Sequence, residues 1–161
     1  MKSLFRRAQN AVAQPTGPDP DSPAGLALKL ENLIDQINRS SGRLPIAAVV
    51  SALDVTDVVD QLLDTTLDDE VPDVEVILAV RGIVQDYLPT TLARFLALDA
   101  RTVDQPLASG QTPRGQLTTQ LAQLAGAAAD VLSATRSRDA DALVSQGNFL
   151  HTKFSRSDLD L

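Results

Sequence analysis

The sequence TPRGQLTTQLAQLAGAAADVLSAT, residues 112–135, carries the clearest structural signal in the chain. Apolar residues recur in it at alternating intervals of four and three, the spacing that aligns side chains along one side of an α-helix. This Leu/Ala seam consists of Leu117, Leu121, Leu124, Ala128, Val131 and Thr135. Thr112 followed by Pro113 predicts the helix start, because a threonine hydroxyl caps free amides and proline fits the first turn. The small residues at 125–129 allow a second helix to approach closely.

The rest of the chain also shows helical spacing, and no strand-like alternation occurs. Apolar residues recur at helical intervals in 26–37, 76–87, 92–98 and 143–154. Asp73, and either Ser137 or Asp139, are suited to cap helices, and the short last connection predicts an antiparallel hairpin. Pro89 disfavours helical geometry at Leu88 and predicts a kink. The predicted fold class is all-α, a single bundle of about five helices with a kink near Pro89 and an antiparallel hairpin at its end.

Residues 44–67 resemble one helix whose apolar side changes direction partway along. At about 100° per residue, the apolar residues at 46–53 lie nearly opposite those at 55–63. Asp54 is suited to cap a new helix beginning at Val55. We therefore predict a break or sharp bend near Asp54, with a single buried helix as the alternative.

Composition divides the chain into four parts. Residues 1–13 are predicted to form a basic amphipathic helix, 14–24 a Pro/Gly-rich linker, 25–154 the all-helical domain and 155–161 a flexible tail. The chain has no cysteine and one histidine. These counts exclude thiolate catalysis, disulfides, Cys-ligated zinc and a His-cluster metal site within one chain. No cofactor and no metal is predicted.

The net charge of -7 comes from one interval of the sequence. Residues 44–80 contain nine acids and no base, whereas residues 1–43 sum to +2 and residues 81–161 to zero. Nucleic-acid binding draws most of its affinity from Lys and Arg that neutralise phosphates. The acidic excess opposes such binding, and no nucleic-acid partner is predicted.

Five aspartates in this interval share about a third of the circumference of a helix. This acidic stripe consists of Asp54, Asp57, Asp60, Asp64 and Asp68. It is either a solvated helix face or a docking surface for a basic protein partner, which would associate faster and bind more weakly as salt increases. A divalent-cation site has no support from the loop spacing that is typical of calcium sites.

Residues 1–13 contain three bases and no acid. A basic amphipathic helix can lie on an anionic membrane surface, here through Leu4, Phe5, Arg6 and Arg7. The alternatives are that the segment packs on its own domain, packs on a partner subunit or stays disordered. No apolar run approaches the roughly 20 residues that span a membrane, and no signal-peptide core follows the basic residues. We expect a cytoplasmic protein, with peripheral membrane contact as an option.

His151 is the one histidine in the sequence, and histidine is the residue type that most often serves as a general base. No nucleophile is suggested near it, and the serines and threonines lie at caps or in loops without a nucleophile-elbow pattern. Tyr87 is interpreted as a half-buried aromatic with its hydroxyl in water, and Arg81 and Arg94 as exposed helix residues. No catalytic site is predicted, and the chain is not expected to be an enzyme.

Four features fall within residues 83–154: YLPTTL at 87–92, the leucines at 117–124, the segment 139–143 and GNFL at 147–150. This block resembles the helical part of XpaC-like proteins, a family named for hydrolysis of an indolyl phosphate and often mentioned alongside toxic-anion-resistance proteins. The resemblance implies an all-helical fold and an envelope-associated or stress-associated role. It does not carry over a phosphatase activity, because the chain lacks a Gly-rich phosphate loop, a Cys nucleophile and a His-rich metal site.

The leading functional prediction is a non-enzymatic protein–protein interaction or adaptor protein that uses the acidic stripe and the Leu/Ala seam. One alternative is a peripheral membrane-surface stress or toxic-anion-resistance-associated protein that is held by residues 1–13. Another is an enzyme of unrecognised type. The oligomeric state stays open, because the seam can close the internal hairpin or face a second copy of the chain.

Overall fold

A computed structural model describes residues 17–155 of the chain. Its helices are α1 (Pro23–Ser40), α2 (Ile46–Asp68), α3 (Val74–Gly82), α4 (Leu88–Leu96), α5 (Pro113–Ser137) and α6 (Ala140–Phe154), with a 3-10 turn at Ser41–Arg43 and a π-helical turn at Ile83–Tyr87. The π-helical turn joins α3 to α4 without interruption, so five helical segments result. No strand occurs in the described range. The all-α prediction is confirmed.

The helices begin where side chains can cap them. Asp73, Thr112 and Asp139 each accept a hydrogen bond from a backbone N–H two or three residues later, at 2.9 to 3.1 Å, as the sequence predicts. α1 begins at Pro23, because the Ser22 hydroxyl accepts from the Gly25 N–H at 3.1 Å. The last two residues of the predicted 14–24 linker therefore belong to a helix.

Two hydrogen bonds between distant segments define the directions of the helices. Arg43 Nη2 donates to the Leu96 carbonyl at 2.7 Å, which holds the end of α4 beside the turn between α1 and α2. Arg136 Nη2 donates to Gln61 Oε1 at 2.7 Å, which holds the end of α5 beside the second half of α2. The start of α5 lies near the start of α2, since Arg114 and Leu44 line one depression. α2 and α5 therefore run parallel, and the other helical segments run the opposite way.

The core is built on α2 and α5, which make the most extensive contacts of any helix pair. The larger side chains of the Leu/Ala seam in α5 are 0 to 1% exposed, with Ala128 also fully buried. α2 has a seam with the same four-three spacing, formed by Ala48, Ala52, Val55, Val59, Leu62 and Thr66, none more than 2% exposed. Burial of each leucine contributes about 1.5–3 kcal/mol. The Leu/Ala seam is thus an internal packing surface.

The predicted break near Asp54 is wrong, because α2 is continuous and Asp54 lies exposed within it. The prediction depends on the larger apolar residues of 46–63 and leaves out Ala48 and Ala52. These two alanines are fully buried and continue the buried side of the helix toward its start. Ile46 and Val50 point the other way and are 85% and 54% exposed. The helix therefore continues without interruption and leaves these two aliphatic side chains in solvent.

The irregularity predicted near Pro89 is the π-helical turn at Ile83–Tyr87. The expectation that Leu88 leaves helical geometry is wrong, since its φ and ψ are -72° and -51° and its N–H donates to the Ile83 carbonyl five residues earlier. Pro89 has no N–H to donate, so a regular α-helix would lose a hydrogen bond there. The wider turn before it accommodates the proline within a continuous segment.

Tyr87 packs across the π-helical turn and is 6% exposed. A Cβ atom at Gly82 would lie 2.6 Å from Cε2 of the Tyr87 ring. The ring also meets Phe154 of α6, with centroids 6.2 Å apart. Only glycine at position 82 leaves space for this ring, which ties α6 to the segment formed by α3 and α4.

We expect Gly82→Ala to lower the free energy of unfolding by about 1–3 kcal/mol, because the added methyl overpacks the Tyr87 ring. The matched control is Gly126→Ala in α5, where an added Cβ meets no atom within 4 Å. That change should raise stability by about 0.5–1 kcal/mol through lower backbone entropy of the unfolded chain. Urea unfolding followed by circular dichroism measures both, and stabilisation by both variants would contradict the proposed packing.

Candidate interaction surface

The acidic stripe lies on one side of α2, and all five aspartates are exposed. The helix has 23 residues and is about 34 Å long. Ile46 and Val50 lie on the same side in its first turns. This α2 outer face, defined by Ile46, Val50 and the acidic stripe, is therefore apolar at its start and acidic over the rest of its length.

No described base neutralises the acidic stripe. The salt bridges between residues of the 17–155 range are Arg81–Asp21 and Arg114–Asp104, and neither involves the stripe. Arg136 of α5 reaches α2 but donates to the Gln61 side chain. The five carboxylates therefore face solvent without an ion-pair partner from the described part of the chain.

The arrangement of the aspartates opposes helix stability. Asp60, Asp64 and Asp68 are spaced four apart, and each like-charge pair at this spacing costs about 0.2–0.5 kcal/mol. Asp64 and Asp68 also lie near the C-terminal end of α2, where the helix dipole is negative and favours bases. The last turn of α2 contains no base. A solvated face that served helix stability would alternate acids with bases.

A second exposed surface lies on α3 and was not predicted from the sequence. Val71, Val74 and Leu78 are 82%, 67% and 51% exposed. Val74 and Leu78 are opposite in direction to the buried side of α3, which includes Val76 and Val80, and Val71 lies in the connection just before the helix. The sequence does contain one indication of this surface. Apolar residues occur on nearly all sides of α3, and a helix of this kind is either fully buried or covered by a partner. We call Val71, Val74 and Leu78 the α3 apolar strip.

A groove of about 260 Å³ separates the α3 apolar strip from α6. Its lining includes Glu75 and Leu78 from α3, and Gly147 and His151 from α6. Gly147 has no side chain to fill it, and the nearest atom to a Cβ built there would be Glu75 Oε2 at 3.7 Å. The groove is therefore open to a side chain from outside the described structure.

The same groove brings His151 near Tyr87 and Glu75, which the sequence did not predict. His151 is exposed, Glu75 is half-buried and Tyr87 is buried. No hydrogen bond joins these three side chains, so the groove lacks a nucleophile paired with a base. Within residues 17–155, no group of three His, Cys, Asp or Glu side chains is arranged to hold a metal ion.

A cavity of about 630 Å³ lies between the α2–α3 connection and the α5–α6 turn. It is lined by the cap residues Asp73 and Asp139 and by Arg138, whose φ of 52° is left-handed. Both cap carboxylates already accept backbone N–H groups of their own helices. The cavity therefore presents a mixed charged lining whose acids are partly engaged in capping.

The other residues considered in the sequence analysis are two arginines and the membrane-surface candidates. Arg81 pairs with Asp21 at 3.5 Å, so it has a protein partner. Arg94 is exposed on α4. The membrane-surface candidates Leu4, Phe5, Arg6 and Arg7 lie outside the described residues, as does most of the 155–161 tail, and their roles stay predictions. In the part of the chain that the structure describes, no helix has the length and apolar character needed to cross a membrane.

Burial raises the pKa of Tyr87 above its usual value, and the negative charge of Asp86 raises it further. The unfolded chain therefore loses this proton first as the pH rises above about 10, so the unfolding free energy falls with increasing pH there. Tyr87→Phe removes this contribution. Urea unfolding from about pH 8 to pH 11 should show a steeper alkaline loss for the wild type, and an identical pH dependence in both proteins would contradict the assignment.

Comparison of the chain with protein-family models, with curated proteins and with solved structures gave no match. The resemblance of residues 83–154 to XpaC-like proteins therefore stays a prediction.

Proposed function

We propose that this protein is a non-enzymatic interaction or adaptor protein whose α2 outer face binds a basic protein partner. The observation that supports the proposal is the run of five exposed aspartates without ion-pair partners, in an order that costs the helix stability. Lys and Arg side chains of a partner would offset the repulsion between the aspartates. They would also interact favourably with the negative C-terminal end of the helix dipole. The charge that destabilises the free protein would then stabilise the complex.

The two halves of the α2 outer face have different roles in this proposal. The Cβ atoms of stripe aspartates three or four residues apart are about 5–6 Å apart, within the screening length of about 8 Å at physiological salt, so their charges act together on an approaching partner. Such steering raises association rates more than it raises affinity. Ile46 and Val50 supply the short-range contact, since burying each contributes up to about 1.5–3 kcal/mol.

Neutralising the stripe should stabilise the free protein. We expect the variant with Asp57, Asp60, Asp64 and Asp68 all changed to Asn to gain about 1 kcal/mol at low salt, because like-charge pairs and unfavourable dipole interactions are removed. The gain should shrink in high salt, which screens exposed charges. Urea unfolding at two salt concentrations measures the change.

The matched control neutralises four exposed acids elsewhere, by Glu31→Gln, Asp35→Asn, Asp130→Asn and Asp141→Asn. Asp141 lies in the first turn of α6, where an acid is favourable, so this control should not gain stability. An equal gain in both variants would show that only the net charge of the protein matters.

Partner capture tests the function itself. Immobilised wild-type protein should capture a saturable partner rich in Lys and Arg from lysate at low salt, identified by mass spectrometry, and should lose it as salt rises. The four-Asn stripe variant should lose this partner, whereas the four-residue control of equal charge should retain it. Capture by both variants alike, or the absence of any saturable partner, would refute the proposal.

A further inference from the structure

We propose that residues 1–13 of the same chain bind along the α3 apolar strip and into the groove between α3 and α6. The strip is an unpartnered helix face, with Val71, Val74 and Leu78 all more than half exposed. α6 continues the apolar surface with Val144, which is 43% exposed. At about 100° per residue, Val144 lies on the same side of α6 as Gly147 and His151, which line the groove. The surface is therefore shared by two helices.

The position of the chain before α1 brings the segment to this surface. Asp21 pairs with Arg81 at 3.5 Å and accepts a hydrogen bond from Gln85 Nε2 at 3.1 Å. At about 100° per residue, Arg81 lies on the same side of α3 as Val74 and Leu78. The chain thus already contacts the C-terminal end of the face that carries the α3 apolar strip.

The connecting length is sufficient for residues 1–13 to cover the strip. Asp19 to Ser22 form a turn, so the connection that can extend runs from residue 13 to Gly17, four steps of up to about 3.4 Å each, or about 14 Å in all. α3 has nine residues and is about 13 Å long. Residue 13 can therefore reach the C-terminal end of α3 beside Arg81, and from there the segment can lie along α3 toward Val74 without displacing α1.

Charge complementarity favours this occupant. Asp69, Glu70 and Asp73 are exposed at one end of the strip, and Glu75 lines the groove. Residues 1–13 carry three bases and no acid, whereas residues 17–155 carry 19 acids and 10 bases. The acidic body attracts the segment, and the same body is repelled by an anionic lipid surface. Electrostatics thus favour docking on the chain itself over docking on a membrane.

The segment has apolar side chains that are suited to pack on this apolar surface. Met1, Leu4, Phe5, Ala8 and Val12 recur at helical spacing and form one side of the predicted helix. An amphipathic helix that places such a side in an apolar groove is a common recognition mode. Phe5 is the one aromatic of the segment, and the groove beside Gly147 offers it a place.

A spin label tests the contact in the full-length protein. The chain has no cysteine, so Asn10→Cys provides a single attachment point on the side of the predicted helix away from its apolar residues. In the isotope-labelled protein at low salt, the label should broaden the amide signals of Leu78 and Val144. Raising the salt concentration should weaken this broadening, because the basic segment is then less attracted to the acids at the edge of the strip.

Two matched pairs of surface variants locate the binding surface. Val74→Ser with Leu78→Ser should abolish the broadening, whereas Ile46→Ser with Val50→Ser on the α2 outer face should leave it unchanged. All four side chains are more than half exposed, so neither pair should unfold the protein. The α2 pair should still weaken partner capture, which separates this proposal from the proposed function.

Three results would overturn the proposal. The first is equal broadening in both pairs of variants. The second is broadening that persists when spin-labelled protein is mixed with isotope-labelled protein that carries no label, since a second copy would then be the acceptor. The third is co-sedimentation of the full chain with phosphatidylserine-containing vesicles as strongly as a peptide of residues 1–13, since the segment would then be free to bind lipid.

Discussion

The parallel packing of α2 against α5 is the interaction on which the rest of the structure depends. Both helices present buried seams with four-three spacing, and the small residues Ala48, Ala52 and Ala128 allow their axes to approach closely. α1 and α6 then follow from short turns at opposite ends of this pair, and the α3–α4 segment packs beside them. One side of α2 packs in this core, and its opposite side has no neighbour in the described structure. The exposed charge is thus a consequence of how the core is built.

The predictable parts of this structure are those that depend on local chemistry. Asp73, Thr112 and Asp139 cap helices because the cap lies a few residues from its acceptor amides, and the sequence contains the whole interaction. Asp54 has the same local chemistry but lies within a helix, because burial of Ala48 depends on a neighbour that is distant in sequence. The acidic stripe was found because α2 is regular and its spacing could be counted. The α3 apolar strip was missed because exposure depends on which helices leave a face uncovered.

The acidic excess is divided between two surfaces with different apolar neighbours. On α2, the carboxylates follow Ile46 and Val50 along one helix, which suits an elongated basic partner. At the start of α3, Asp69, Glu70 and Asp73 of the α2–α3 connection border Val71 and Val74, which suits a short amphipathic segment with bases at its edge. The proximity of both surfaces to the α2–α3 connection means that occupancy of one alters the electrostatic potential at the other. A basic segment docked on α3 would weaken long-range attraction of a basic partner to α2, an effect that salt would reduce.

The π-helical turn at Ile83–Tyr87 corrects the register of the segment formed by α3 and α4. In an uninterrupted α-helix, Leu88 would lie about 80° from Val80 around the axis. A π-helical turn absorbs one additional residue, which brings Leu88 to within about 20° of Val80 and keeps both in the core. The chain therefore contains two shifts in its apolar pattern with opposite outcomes. The shift in α2 is left uncorrected and creates a surface, whereas the shift before Pro89 is absorbed by the backbone and preserves the core.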